Sequence, residues 1–276
     1  MKTFRLIGMA LVAVVMCVNF TSCSDDDDDE YSKNDDGVIT NQKQLMQIKM
    51  VNDSEFITWD FSYDSKGKLT SINHAKKYDG KIKRNITNYF WDNNTIIAED
   101  GGSTRTYTIN EGLVRIIRDS DKRHKDWSNA TFNYNSSDQL IAVQDNNWSK
   151  NSIETYTWDN ERIINSTYTD DTYYRLNEHI DEYTYSGKTC KGYFPLYSPS
   201  DHDYIFYAHP ELIGLRCSQQ PDKVYSKDGY NEETKQYTYT LDKNGYIERC
   251  TEASTNKILN INETITKTTI YTFTWE

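Results

Sequence analysis

Five histidines, three downstream cysteines and a large stock of carboxylates are the side chains of this chain best suited to chemistry. His74, His124, His179, His202 and His209 are scattered. None stands in the His-Glu-x-x-His spacing that places two ligands on one helix face. Asp201-His202-Asp203 offers three ligand types in a row, but neighbours on an extended chain point to opposite sides, so the triplet reads as a solvated loop. His209 reads as a packing or hydrogen-bonding residue. No Gly-x-Ser-x-Gly elbow and no phosphate-binding loop occurs. With 42 Asp and Glu, paired carboxylates arise by chance, so no glycosidase dyad is assigned. The expectation is a non-enzymatic protein with no catalytic residues, no metal and no cofactor.

Cys190, Cys217 and Cys250 match no zinc spacing. In an oxidising compartment one disulfide can form among Cys190, Cys217 and Cys250; three buried thiols serving as small apolar groups is the competing reading. Trp127 and Trp148 sit in polar stretches, Lys125-Asp126-Trp127-Ser128 and Asn146-Asn147-Trp148-Ser149. They are the candidate binding residues, able to stack on a sugar or anchor a protein partner. The alternative is that both fold back over a sheet edge.

The elements that position these groups form a repeat. Phe61-Ser62-Tyr63-Asp64 returns as Tyr89-Phe90-Trp91-Asp92, Tyr107-Thr108-Ile109-Asn110, Phe132-Asn133-Tyr134-Asn135 and Tyr156-Thr157-Trp158-Asp159. Later copies begin at Tyr183, Tyr239 and Tyr271. Apolar residues at alternate positions, with Thr, Ser or Asn between, make a strand with one apolar face. The Asp or Asn that follows starts a turn by bonding backbone N–H groups further on. An apolar return strand comes next, as in Leu69 to Ile72 and Leu140 to Val143. Each unit is therefore a β-hairpin, and the series an antiparallel meander. Adjacent apolar pairs such as Ile96-Ile97, Ile116-Ile117, Leu140-Ile141 and Ile163-Ile164 require two covered faces or a bulge. Both favour an all-β curved sheet or partial barrel. All four prolines fall in one insertion, residues 190–223. There Pro210 suits a first helical position and Gly214 a stop, which predicts a short helical turn that covers the sheet or plugs its end.

The chain opens with Lys2 and Arg5, then the 13-residue apolar run Leu6 to Val18, then Thr21-Ser22-Cys23. The run suits a secretory signal and is too short to span a ~30 Å hydrocarbon core. The pattern resembles a bacterial lipobox, with Phe20 where such boxes usually carry Leu. That implies cleavage after residue 22 and lipidation, including palmitate-type acyl chains, on Cys23. Ser24, Asp25 to Asp29 and Glu30 form a self-repelling tether. The tether also resembles the acidic export tag of surface lipoproteins in Bacteroidetes-type bacteria, which implies an outer-membrane address facing the extracellular side. The resulting division is a signal peptide (1–22), an acidic tether (23–37) and a single β-meander domain (38–276).

A net charge of −11 argues against nucleic acid as a partner. Aromatics reach 13% while prolines number four, a strand-forming composition. The Cys23 tether, the aromatic hairpins and Ala208-His209-Pro210-Glu211-Leu212 together resemble a Bacteroidetes lipoprotein family of unknown function with a porin-like fold. The hairpins also resemble the Tyr-Asp repeats of bacterial shell and toxin proteins. No site residues follow from either resemblance. The expected function is a lipid-anchored cell-surface binding module for a glycan or an envelope protein. Its alternatives are a structural component of an envelope complex and a glycan-acting hydrolase. A membrane-embedded barrel, suggested by the terminal Tyr271 to Trp275 strand, is opposed by a mean hydropathy of −0.84.

Overall fold

The structure, a computed structural model, describes residues 43–121, 128–147, 151–172, 175–192, 204–215 and 219–276. Cys23, the tether, His124, Trp127, Trp148, His202 and Cys217 lie outside the described residues.

The aromatic alternation produces strands throughout. In chain order they are β1 (Leu45–Val51), β2 (Phe56–Tyr63), β3 (Leu69–Tyr78), β4 (Lys81–Asp92), β5 (Thr95–Asp100), β6 (Ser103–Asn110), β7 (Leu113–Asp121) and β8 (Ser128–Tyr134). They continue with β9 (Leu140–Asn147), β10 (Asn151–Asp159), β11 (Arg162–Thr172), β12 (Arg175–Thr184), β13 (Lys223–Lys227), β14 (Asn231–Leu241), β15 (Ile247–Ile258) and β16 (Glu263–Trp275). Each pairs antiparallel with its sequence neighbours, and β1 pairs with β16 to close the barrel. Ile48 of β1 stands opposite Trp59 on one side and Phe273 on the other. The expected partial barrel is thus a fully closed one, which leaves no sheet edge to template aggregation.

The turn aspartates act as their position predicts. The Asp64 carboxylate accepts from the backbone N–H groups of Lys66 and Lys68 at 2.8 and 2.9 Å. Asn135 and Asp242 repeat the pattern. A bulge follows each of these turns, shifting register at Ser62/Tyr63, Asn133/Tyr134 and Thr240/Leu241. The adjacent apolar pairs divide between the two faces. Leu140 and Ile163 are fully buried inside, while Ile141 and Ile164, the extra residues of two bulges, are each 38% exposed outside.

The last aromatic of most repeats closes a gap at this end of the barrel. Tyr63 donates to the Leu45 carbonyl at 2.8 Å and Trp91 to Leu69 at 2.7 Å. Tyr134, Trp158, Tyr185 and Trp275 make the corresponding bonds to Val114, Leu140, Ile163 and Ile247. Each bond ties a strand to the one before it, at the end opposite their shared hairpin, where the pair would otherwise splay. Basic side chains lie over several rings of this belt: Lys68 over Trp91, Arg115 over Tyr134 and Arg162 over Tyr185.

The same end of the lumen is plugged. The helical turn α1 (Ile205–Ala208) and a 3-10 turn (Pro210–Ile213) insert between inward-facing strand residues. Ile205, Phe206 and Ile213 are fully buried. Phe206 meets Tyr107 and Phe132 edge-on at 5.9 and 6.4 Å. Pro210 does open the second turn, and Gly214 ends it at φ 69°. A Cβ on Gly214 would fall 2.0 Å from the Asp138 carbonyl, so no other residue fits there without moving the Tyr134–Leu140 hairpin.

Candidate functional site

Inward positions change character along each strand. Near the plug they are apolar: Leu69, Ile96, Leu140, Ile163 and Ile247 are all fully buried. Toward the opposite end the same face carries charge. Arg105 precedes Tyr107 by one inward step, Glu154 precedes Tyr156, Asp181 precedes Tyr183 and Lys235 precedes Tyr237. Inward-facing Lys83, Asp100, Asp121 and Lys267 at the strand ends are exposed, while Asp119, Ser152, Ser166, Asp170, Ser254 and Thr269 on the same face are buried. The lumen is therefore an apolar plugged half below a polar half that is exposed at its rim.

The polar half is organised by ion pairs and hydrogen bonds. Arg105 grips Asp119 with two bonds, Nε to Oδ1 at 2.6 Å and Nη2 to Oδ2 at 2.8 Å. Lys76 meets Glu55 at 2.6 Å and Lys235 meets Glu233 at 3.4 Å. His179 Nε2 lies 2.9 Å from Asp181, whose other oxygen accepts from Ser166 at 3.2 Å. Carboxylates concentrate on the wall from β7 to β15, including Asp119, Glu154, Asp181 and Glu252, while Lys76, Lys83 and Lys267 stand on the wall from β16 to β4. Burial pushes the Glu252 carboxyl up, Lys235 pulls against the shift and Glu233 adds to it.

The floor of this half is aromatic. Trp59 and His74 stack at 5.5 Å, and Tyr204 and Tyr207 at the inner tip of the plug meet Trp59 at 6.0 and 6.1 Å. Tyr204 also lies 5.3 Å from His74 and 5.7 Å from Tyr207. Tyr207 neighbours Tyr271, whose hydroxyl reaches Glu252 at 3.5 Å. A continuous platform therefore runs from His74 to the half-buried Glu252 carboxyl.

The sequence candidates distribute unevenly over this site. His74 is in the floor and His179 in the wall. His209 sits in the plug, its Nδ1 2.9 Å from Glu211 and its ring edge-on to Tyr63 and Trp91. Cys250 is a buried inward thiol, pushed up by burial. Trp59, Tyr204, Tyr207 and Glu252 were not singled out. No local signal marks them: Tyr204 and Tyr207 come from the insertion, and Glu252 is turned inward only by the register that sets it opposite Tyr237. Among the described residues no group of three His, Cys, Asp or Glu converges as metal ligands would.

No protein-family model matches the chain, and no curated protein matches it by sequence. Solved structures do match. A porin-like protein from Bacteroides uniformis ATCC 8492 superposes with a TM-score of 0.61 at 20% identity, over 84% of this chain and 96% of its own. A porin-like protein from Bacteroides vulgatus ATCC 8482 gives 0.61 at 14% identity, over 85% and 99%. The chain has the porin-like fold. Its outer wall, however, departs from that of a barrel built to sit in lipid, which carries an apolar outer band around a polar lumen. Here Lys49, Glu99, Arg118, Glu182, Lys223 and Arg249 point outward from β1, β5, β7, β12, β13 and β15, while exposed apolar residues stand outward on β4 and β9 to β11. An outward Lys or Arg at the middle of a bilayer costs roughly 2–4 kcal/mol, which counts against a continuous lipid-facing belt on these strands.

Proposed function

We propose that this protein is a cell-envelope lipoprotein, held by acyl chains on Cys23 and displayed on the outside of the cell. Its barrel is a non-catalytic binding module for a glycan or a protein. The observation that carries the reading is the polarity of the barrel. The chain enters β1 at the plugged end, where Gln44 and Glu276 exchange backbone bonds, and the polar lumen lies at the opposite end. A tether leading from Cys23 to the plugged end leaves the polar end free to face the medium. The charged outer wall supports attachment by lipid rather than by the strands. The Bacteroides neighbours share only the fold, and their source is consistent with an envelope role.

Metabolic labelling with a palmitate analogue, followed by protease treatment of intact cells, tests the reading. The expected result is label on the wild type, none on Cys23→Ala, and digestion of the barrel from outside. An unlabelled wild type, or a barrel protected in intact cells, would sink it.

A structural role in an envelope complex is the second reading. Ile82, Ile86 and Phe90 are 54, 56 and 54% exposed and share the outer face of β4. Crosslinking at Phe90 to one stoichiometric envelope protein would favour it over ligand binding.

A further inference from the structure

We infer that the polar half of the lumen is a sugar-binding site whose platform is the inner tip of the plug. The inference rests on the binding-module reading above and gives it a ligand class and a location. The platform supplies the first requirement. Tyr204, Tyr207 and His74 are half-buried, not sealed into the core. Ring faces of this kind cover the apolar C–H face of a pyranose, and a few polar groups at the margin then fix its orientation.

The second requirement is a polar group that lacks a partner inside the protein. Trp59 faces the lumen, is 8% exposed, and its indole N–H has no hydrogen-bond partner. A buried donor left without an acceptor loses its hydration and gains nothing in return. The other tryptophans of the barrel with a described indole bond, Trp91, Trp158 and Trp275, all donate to carbonyls. Trp59 is thus the exception, and it is the one beside the platform. A ligand hydroxyl both donates and accepts, so it can take this N–H while giving its own proton to a carboxylate.

The third requirement is selectivity. Glu252 closes the far end of the platform, and the acidic wall from β7 to β15 repels polyanions. Lysines on the opposite wall leave no single-sign field that would select a simple cation. The chemistry that fits is a hydroxyl-rich ring, uncharged or carrying an amine: a mono- or short oligosaccharide.

Isothermal titration of the full-length chain decides the matter. The probes are glucose, galactose, mannose, glucosamine and N-acetylglucosamine, with their α- and β-linked oligomers of two to six units. At least one is expected to bind saturably. Trp59→Phe, which keeps a ring and removes the N–H, and Tyr204→Ala are each expected to weaken that binding at least tenfold. Phe90→Ser on the outer wall should leave affinity unchanged, and thermal melts identify any variant that fails to fold. Full affinity in folded Trp59→Phe and Tyr204→Ala, with loss in Trp127→Ala or Trp148→Ala, overturns the lumen site but keeps the binding module. Silence across the sugars with capture of an envelope protein also overturns the sugar inference alone. Silence toward both classes removes the inference and the binding-module reading together.

Discussion

The two halves of the barrel are built from the same strands and obey different rules. In the plugged half the repeat dictates almost every inward residue: an aromatic, an aliphatic return residue, and an indole or phenol bond across the gap. In the polar half the inward positions of the same strands hold Lys, Arg, Asp, Glu, Ser, Asn and His with no common pattern. A repeated solution marks what every hairpin needs in order to fold. An irregular one marks positions released from that need, and such positions can specialise. The stability of this protein should therefore reside mainly in the plugged half, and its selectivity in the polar half.

The sharpest way to break this division is to hollow the plug. Phe206 is fully buried and touches two repeat aromatics, so Phe206→Ala should cost about 3–5 kcal/mol, read as a lowered urea midpoint at unchanged m. Lys83→Ala, inward but exposed at the polar end, should stay within about 0.5 kcal/mol of wild type. Comparable losses at both sites would refute the division.

The next largest effect tests whether any polar-half pair behaves like core. Asp119 is 9% exposed and held by both arms of Arg105. Asp119→Ala strands the guanidinium in a half-buried site and should cost about 2 kcal/mol. The double change Arg105→Met with Asp119→Leu should recover most of that loss, because two packed apolar groups replace two desolvated charges. A double variant as unstable as the single would mean that the pair itself, rather than its filling of space, holds β6 to β7.

A smaller effect separates the repeat from its contents. Trp91→Phe removes the bond to the Leu69 carbonyl while keeping a ring in place, and should cost about 1 kcal/mol. Tyr134→Phe and Tyr185→Phe should cost similar amounts, and the losses should add, because these bonds lie on separate strand pairs. Losses well beyond additive would show that the belt acts as one cooperative ring.

Much of the plugged half was legible in the sequence. The alternation from Phe61 onward gave the hairpins, Asp64 and Asn135 gave the turns, and Pro210 with Gly214 gave the plug. Closure was hidden, because it depends on Leu45 to Val51 finding Ile270 to Trp275, a pairing that no local pattern encodes. The candidate site was largely illegible for a related reason. Trp59 lies two residues before Phe61 and looks like one more repeat aromatic. Only in the folded barrel do Tyr204 and Tyr207, from the insertion, come to lie on it. A polar residue such as Glu252 reads on paper as an outward strand position until the register with Tyr237 turns it inward.

The smallest expected effect concerns protons. His179 is raised, chiefly by its bond to Asp181, against burial and Lys235 and with help from Asp228. Burial alone would raise Asp181, but bonds from His179, Ser226 and Ser166 outweigh it and hold the carboxyl low. A raised imidazole contributes stability that is complete below the unfolded value of ~6.5 and disappears as pH climbs through the folded one. A lowered carboxyl contributes stability that is complete above ~3.9 and disappears as pH falls through its folded value. The pair therefore stabilises most between pH ~4 and ~6.5. The difference in melting temperature between wild type and His179→Asn should peak in that window and shrink on either side. The deficit of Phe206→Ala, which involves no proton, should stay nearly level across the same range. A His179→Asn deficit equally level from pH 4 to 9 would show that the imidazole acts only as packing, and that the polar half is less distinct from the plugged half than its charges suggest.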